Sequence, residues 1–265
     1  MILIVDIGNT HIHLGLFIRG ALRKTWTLSS QPPRTHDEYA LFLRELIGDG
    51  MPMSGAIVCS VVPRLEAPVA RAIEQEFKTA PLILDAGVPM GIVNGYDLPS
   101  EVGMDRLANA VGACYFFGAP VMVLDFGTAI TLDYLSAPTG REPLPVYLGG
   151  AILPGIELAA ESLARGTARL PRVSLLEPRR VIGRTTAESI QAGLAHGYLG
   201  AIQTLVERAR EEIGQAVRVV ATGGDALNLS AHLPFLHAIE PDLTLYGLRQ
   251  IYGINHDCPL PPRCV

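Results

Sequence analysis

V-D-I-G-N-T (5–10) and L-D-F-G-T-A (124–129) carry one pattern twice. Each ends a continuous apolar run, 2–5 or 121–124, with an aspartate, turns on a glycine and enters a second apolar stretch, 11–17 or 130–135. A run of Ile, Leu and Val with no polar break reads as a buried strand. The glycine behind it permits a tight turn whose backbone N–H groups can come close to a ligand. The two aspartates stand 119 residues apart. Outward from each pair a third strand follows, at 22–28 and at 146–152. Each copy therefore opens as three strands on short turns, an antiparallel meander.

Between the copies, helical spacing covers 37–47, 64–77 and 105–117, and strands are expected at 55–62 and 81–84. Residues 85–102 are rich in Gly and Pro and read as a long functional loop. After the second copy come helices at 155–164 and 187–213 and a strand at 217–221 that ends in Thr222-Gly223-Gly224. A last helix covers 242–252, and C-P-L-P-P-R-C (258–264) reads as a frayed tail. The repeat divides the chain into two similar parts, 1–118 and 119–265, each a meander followed by helices and further strands.

Composition removes several alternatives. With 49 % hydrophobic and 18 % charged residues, the 265-residue chain can bury a sizeable core and is not disordered. Its 21 basic against 26 acidic residues, net −5, give neither part a basic surface, so no nucleic-acid partner is expected. Only Lys24 and Lys78 occur, and neither follows a glycine, so there is no lysine-bearing phosphate loop. Cys59, Cys114, Cys258 and Cys264 form no C-x-x-C pair. They read as reduced thiols of a cytoplasmic protein. The N-terminus has no basic region before its apolar run, and no apolar run approaches the ~20 residues that span a bilayer, so no membrane partner is expected.

The repeated motif can do chemistry. Asp6 and Asp125 offer hard oxygen ligands to cations. Asn9, Thr10 and Thr128 add donors for phosphate oxygens, and the glycines let the backbone close in. Two such hairpins suit a nucleoside triphosphate held without a lysine, and Thr222-Gly223-Gly224 adds a third close-approach turn. Phosphoryl transfer then needs a carboxylate on the side of the nucleophile. Asp105, in E-V-G-M-D-R (101–106), stands where the long loop meets a helix, whose dipole favours the anion. Arg106 beside it can grip a substrate carboxylate with two prongs. The same pair also reads as a helix-capping acid and a surface arginine. His11 and His13 share one strand face and read as solvent-facing rather than as a zinc site, which needs more ligands. His256-Asp257-Cys258 is read as tail, and the apolar helix 187–213 as domain or dimer core.

Taken together, D-I-G-N-T (6–10), W-T-L-S-S (26–30), S-V-V-P (60–63), Y-D-L-P-S-E-V-G-M-D-R (96–106), D-F-G-T-A (125–129), G-G-A-I-L-P-G (149–155), G-R-T-T-A-E-S-I-Q-A-G (183–193) and A-T-G-G (221–224) resemble the type III pantothenate kinases, members of the acetate-and-sugar-kinase/Hsp70/actin superfamily. The resemblance implies an α/β fold of two similar ribonuclease-H-like halves, each a mixed sheet opened by an antiparallel meander and flanked by helices, with an ATP cleft between them. It implies ATP-dependent phosphorylation of the 4′-hydroxyl of pantothenate, the first step toward coenzyme A. By the same resemblance Asp6, Ile7, Gly8, Asn9, Thr10, His11, Ile12 and His13 hold the ATP phosphates and Mg²⁺, with Thr128 and Gly223 also at the nucleotide. Asp105 accepts the proton, and Asp125 binds a monovalent cation, K⁺ or NH₄⁺. Tyr96, Gly103, Met104, Asp105, Arg106 and Thr186 serve pantothenate, in a homodimer where Thr186 can belong to the partner's site. Leu98, Met104, Ile130 and Thr185 depart from the usual motif, and none removes a charge. The family includes proteins first described as accessory factors for toxin expression. An ATP-binding regulator of this fold, or a kinase for another small alcohol, are the alternative readings.

Overall fold

The computed structural model describes residues 1–48, 51–174, 178, 180–224 and 226–260. The elements in chain order are β1 (Ile2–Ile7), β2 (His11–Ile18), β3 (Ala21–Ser29), α1 (His36–Ile47), β4 (Gly55–Ser60), α2 (Pro63–Phe77), β5 (Leu82–Ile83), β6 (Val93–Asn94), α3 (Met104–Phe117), β7 (Val121–Phe126), β8 (Ala129–Ser136), β9 (Val146–Pro154), α4 (Ile156–Gly166), α5 (Thr186–Ile213), β10 (Arg218–Thr222), α6 (Ala226–Ser230), β11 (Ala238–Ile239) and α7 (Leu243–Asn255). They fall into two units: 1–120 with 135–148 and 242–265, and 121–134 with 149–241.

In the first unit the sheet order is β3-β2-β1-β4-β5. β1, β2 and β3 are antiparallel neighbours, and β4 and β5 join parallel to β1. In a strand alternate side chains take opposite faces. Leu3, Val5 and Ile7 of β1, with Ile12, Leu14 and Leu16 of β2 and Val58 of β4, meet Tyr39, Leu43 and Ile47 of α1 and Leu65, Val69 and Ile73 of α2 in one core. The opposite face carries Ile4, Ile57 and Phe17 and is covered by α7 and α3. There Phe17 meets Tyr246 edge to face at 5.3 Å. The helices α3 and α7 cross closely because both contribute glycine. A Cβ on Gly112 would strike the Leu243 carbonyl, and one on Gly247 the Ala108 carbonyl.

Local signals fix the helix starts. Thr35 caps α1 through the Glu38 N–H, and Glu38 Oε2 accepts the Thr35 N–H at 2.8 Å, a complete capping box. Pro63 occupies the first turn of α2, where no N–H is needed. Arg44 of α1 ties to Glu76 of α2 through two hydrogen bonds, 2.8 and 2.7 Å.

In the second unit the order is β9-β8-β7-β10-β11, the same topology as β3-β2-β1-β4-β5. Parallel pairing of β7 with β10 and of β10 with β11 repeats that of β1 with β4 and β4 with β5. Leu124, Phe126, Ile130, Leu132 and Val219 pack with Ile156 of α4 and with Ile190, Ile202 and Val206 of α5. The expected α/β fold with two like halves is thus observed. Residues 85–102 are not all loop: β6 lies within them and pairs with the first residues of β9, Val93 with Val146 and Asn94 with Tyr147. Residues 261–265, most of the expected tail, lie outside the described residues.

Candidate active site

Asp6 is the penultimate residue of β1, on the face that α3 and α7 cover. Its register neighbours are His13 on β2 and Cys59 on β4, and His13 in turn faces Thr27 on β3. Four polar side chains, Thr27, His13, Asp6 and Cys59, therefore form one lateral row at the strand ends. Thr27 Oγ1 and His13 Nδ1 are 3.3 Å apart. Partial burial, and then the charge of His11, lower the His13 pKa, so the ring is chiefly neutral at neutral pH. Cys59 is fully buried. Burial, and then the charges of Asp6 and Asp105, push its thiol well above the usual range. Asp6, Cys59 and Asp105 thus gather at one place.

The turn behind Asp6 is pinned from two sides. The Gly8 N–H donates to His11 O at 2.9 Å, and Ser30 donates through Oγ to Gly8 O at 2.6 Å and through N to Thr10 O at 2.9 Å. Ile7 and Ile12 are buried in the α1/α2 core, so only their backbone can reach a ligand. Asn9, Thr10 and His11 are exposed.

Asp105 is the second residue of α3, after the N-cap Gly103, and its Oδ1 accepts the Arg106 N–H at 2.8 Å. A Cβ on Gly103 would collide with Asp105 Oδ1, so the carboxylate needs a glycine two residues ahead of it. Arg106 is 9 % exposed. The segment before it is held by Asn94, whose Oδ1 accepts the Tyr96 N–H at 3.2 Å and whose Nδ2 donates to Pro99 O at 3.1 Å. A cavity of about 230 Å³ opens beside Asn94 and Leu107. Tyr96, Gly103, Met104, Asp105 and Arg106 all belong to the first unit.

In the second unit Asp125 is the penultimate residue of β7, as Asp6 is of β1, and its register neighbour is Thr222 of β10. Gly223 has φ +92°, and a Cβ there would come within 2.6 Å of Asp125 Oδ1 and the Phe126 backbone. The T-G-G turn is therefore pressed onto the aspartate, which a side chain would forbid. Gly155 donates its N–H to Thr128 O at 2.9 Å, joining the start of α4 to the β7–β8 turn. Thr186 opens α5 and is exposed, behind an N-cap in which Thr185 Oγ1 accepts the Glu188 N–H at 3.2 Å. Among the described residues no three or more His, Cys, Asp or Glu gather as a metal cage. Mg²⁺ needs none, because it takes one or two carboxylates and completes its shell with water and phosphate. Cys59 was not among the residues the motifs singled out, and only strand register brings it to Asp6.

Two units of one topology, each with an aspartate near the end of its first strand before a glycine turn, define a two-unit α/β fold that is also found in a ROK family protein. Among solved structures it is similar to a ROK family protein from Streptococcus pneumoniae (11 % identity, TM-score 0.52, 97 % of this chain and 98 % of that one). It is also similar to a protein from Campylobacter jejuni described as a Baf family transcriptional activator (21 % identity, TM-score 0.60, 96 % of this chain and 99 % of that one). Both likenesses concern the fold. The family model of the type III pantothenate kinases matches residues 2–208. A type III pantothenate kinase from Myxococcus xanthus is 42 % identical over 260 residues, 97 % of this chain and 99 % of that protein. The chain belongs to the type III pantothenate kinase family.

Proposed function

We propose a division of labour among the residues above for the reaction that goes with this family. The chain is an enzyme that phosphorylates pantothenate at the expense of ATP, opening coenzyme A synthesis. The observation that carries the assignment is Asp105: a carboxylate in the first turn of α3, kept clear by Gly103, with the buried Arg106 next to it. Asp105 accepts the proton of the pantothenate 4′-hydroxyl, a step in which a weak, ionised base suffices because the transition state is loose. Arg106 takes the pantothenate carboxylate, and Tyr96, Met104 and Thr186 complete that site. Asp6 and the turn at 8–10 hold the phosphates, with His11 and His13 alongside, and Thr128 and Gly223 contact the nucleotide. Mg²⁺, held by Asp6 directly or through water, supplies neutralisation of the β- and γ-phosphate charge. Asp125 holds K⁺ or NH₄⁺. The working form is a cytoplasmic homodimer, supported by exposed apolar residues such as Ile152, Leu158 and Leu163 on β9 and α4. No helix among the described residues is long and apolar enough to cross a membrane.

The test is ADP release from ATP and Mg²⁺, with and without pantothenate, in potassium and then in sodium. Turnover that needs pantothenate and potassium supports the substrate and the Asp125 cation together. Turnover with pantothenate in either salt removes the cation assignment alone. A folded protein that binds ATP yet shows no pantothenate-dependent turnover in potassium or ammonium overturns the reaction.

A further inference from the structure

Tyr147, the second residue of β9, is fully buried and touches the two best-placed residues of the pantothenate segment. The Arg106 guanidinium carbon lies 5.8 Å from the centre of its ring, and the Tyr96 ring lies 6.3 Å away, tilted by 41°. The backbone makes the same connection. Gly95 donates its N–H to Tyr147 O at 2.9 Å, Val93 donates to Pro145 O at 2.9 Å, and Asn94 stands opposite Tyr147 in the β6–β9 register. A Cβ on Gly95 would come within 2.6 Å of Val146 Cγ1, so the close approach of the segment to β9 needs glycine there. One aromatic ring thus supports a residue before the 99–101 turn and a residue after it.

The chemistry of arginine gives this support a purpose. Arg106 hangs on a flexible stem, and a guanidinium recognises a carboxylate edge-on, through two parallel N–H groups in its own plane. An aromatic ring occupies the other surface, the flat face, by attraction of the cation to the π cloud. A cation–π contact with Tyr147 at 5.8 Å therefore restrains the guanidinium without itself using the donors that a carboxylate needs. We propose that Tyr147 is a positioning residue for pantothenate: its buried ring holds Arg106 in place for the substrate carboxylate and sets Tyr96 beside it. The assignment rests on the reaction and on the Arg106 role given above.

Steady-state kinetics of the full chain test it. Tyr147→Leu raises KM for pantothenate about tenfold and leaves kcat and KM for ATP within about twofold, since the ring acts on binding of one substrate only. Tyr147→Phe keeps the ring and stays within about threefold of the parent. Tyr147→Met, a flexible filler of similar length without a ring, repeats the leucine result if leucine impairs folding in thermal unfolding. In the Arg106→Lys background, Tyr147→Leu adds less than about twofold, because the group it orients is already gone. Equal rises in both KM values, a phenylalanine variant as poor as leucine, or full additivity with Arg106→Lys overturns the assignment. So does an unchanged KM in both ring-less variants while the parent remains an active pantothenate kinase. A parent without pantothenate-dependent turnover instead overturns the reaction itself, and this role with it.

Discussion

Cys59 lies directly beside Asp6 in the parallel register of β1 and β4, on one face of the sheet and sealed from solvent. Burial, and then the charges of Asp6 and Asp105, disfavour a thiolate there, so the group stays S–H. Only the thiolate is a nucleophile. Iodoacetamide applied to the native protein at about pH 8 should therefore leave Cys59 unlabelled while the half-buried Cys258 reacts. Peptide mass mapping reads both sites, and labelling of Cys59 should appear only once the chain is unfolded.

Asp105 makes a separable prediction. Asp105→Asn keeps the volume and the acceptor for the Arg106 N–H while removing the charge that takes a proton. Turnover should fall by roughly 10²-fold or more, with the melting temperature changed little. Near-parental turnover in a folded protein would remove Asp105 from the proton-accepting role.

Gly103 tests the geometry around that carboxylate. Its φ of −60° is open to any residue, so Gly103→Ala carries no backbone strain. The added methyl instead strikes Asp105 Oδ1. The variant should fold normally and lose about tenfold or more in kcat, because misplacing a reacting group by about 1 Å is costly. Thermal unfolding beside steady-state kinetics separates the two effects.

The parts of this site differ in how far local sequence reveals them. Apolar runs that end in Asp6 and Asp125 announce their strands, since period and burial are written in consecutive residues. The helical start at Asp105 is legible for the same reason, one residue from the observed beginning of α3. Cys59 and Tyr147 are not legible that way. Cys59 reaches Asp6 only through the register of two strands distant in sequence, and Tyr147 reaches Arg106 only through the two-residue strand β6, which has no pattern of its own. The apolar face of α7 is visible in Leu245, Leu248 and Tyr252, but its docking on α3 depends on the shape that Gly112 and Gly247 leave open.

Gly247→Ala probes that docking. The new Cβ meets the Ala108 carbonyl, a backbone atom that cannot turn aside, so α7 must move off α3. Overpacking of this kind costs about 1–3 kcal/mol, more than the helix propensity gained from alanine, about 1 kcal/mol. A lower denaturation midpoint with an unchanged m-value is the expected result. An unchanged midpoint would mean that the helices cross less tightly.

The Arg44–Glu76 pair gives a prediction in pH. The two bonds fit a planar guanidinium to a carboxylate, and the Glu76 side chain is 7 % exposed, so the pair should outdo an ordinary surface ion pair. The hydrogen bond from Arg44 lowers the Glu76 pKa below its ordinary 4.5. A carboxylate whose pKa is depressed by folding contributes stability above its unfolded pKa and loses it as pH falls through the folded value. Glu76→Gln should thus cost about 1 kcal/mol at neutral pH. The parent and the variant should converge as the pH is taken below the ordinary glutamate range, where the parent glutamate is itself neutral. Urea unfolding of both proteins across that range checks it. A gap that persists undiminished below the folded pKa would assign the loss to packing between α1 and α2 rather than to charge.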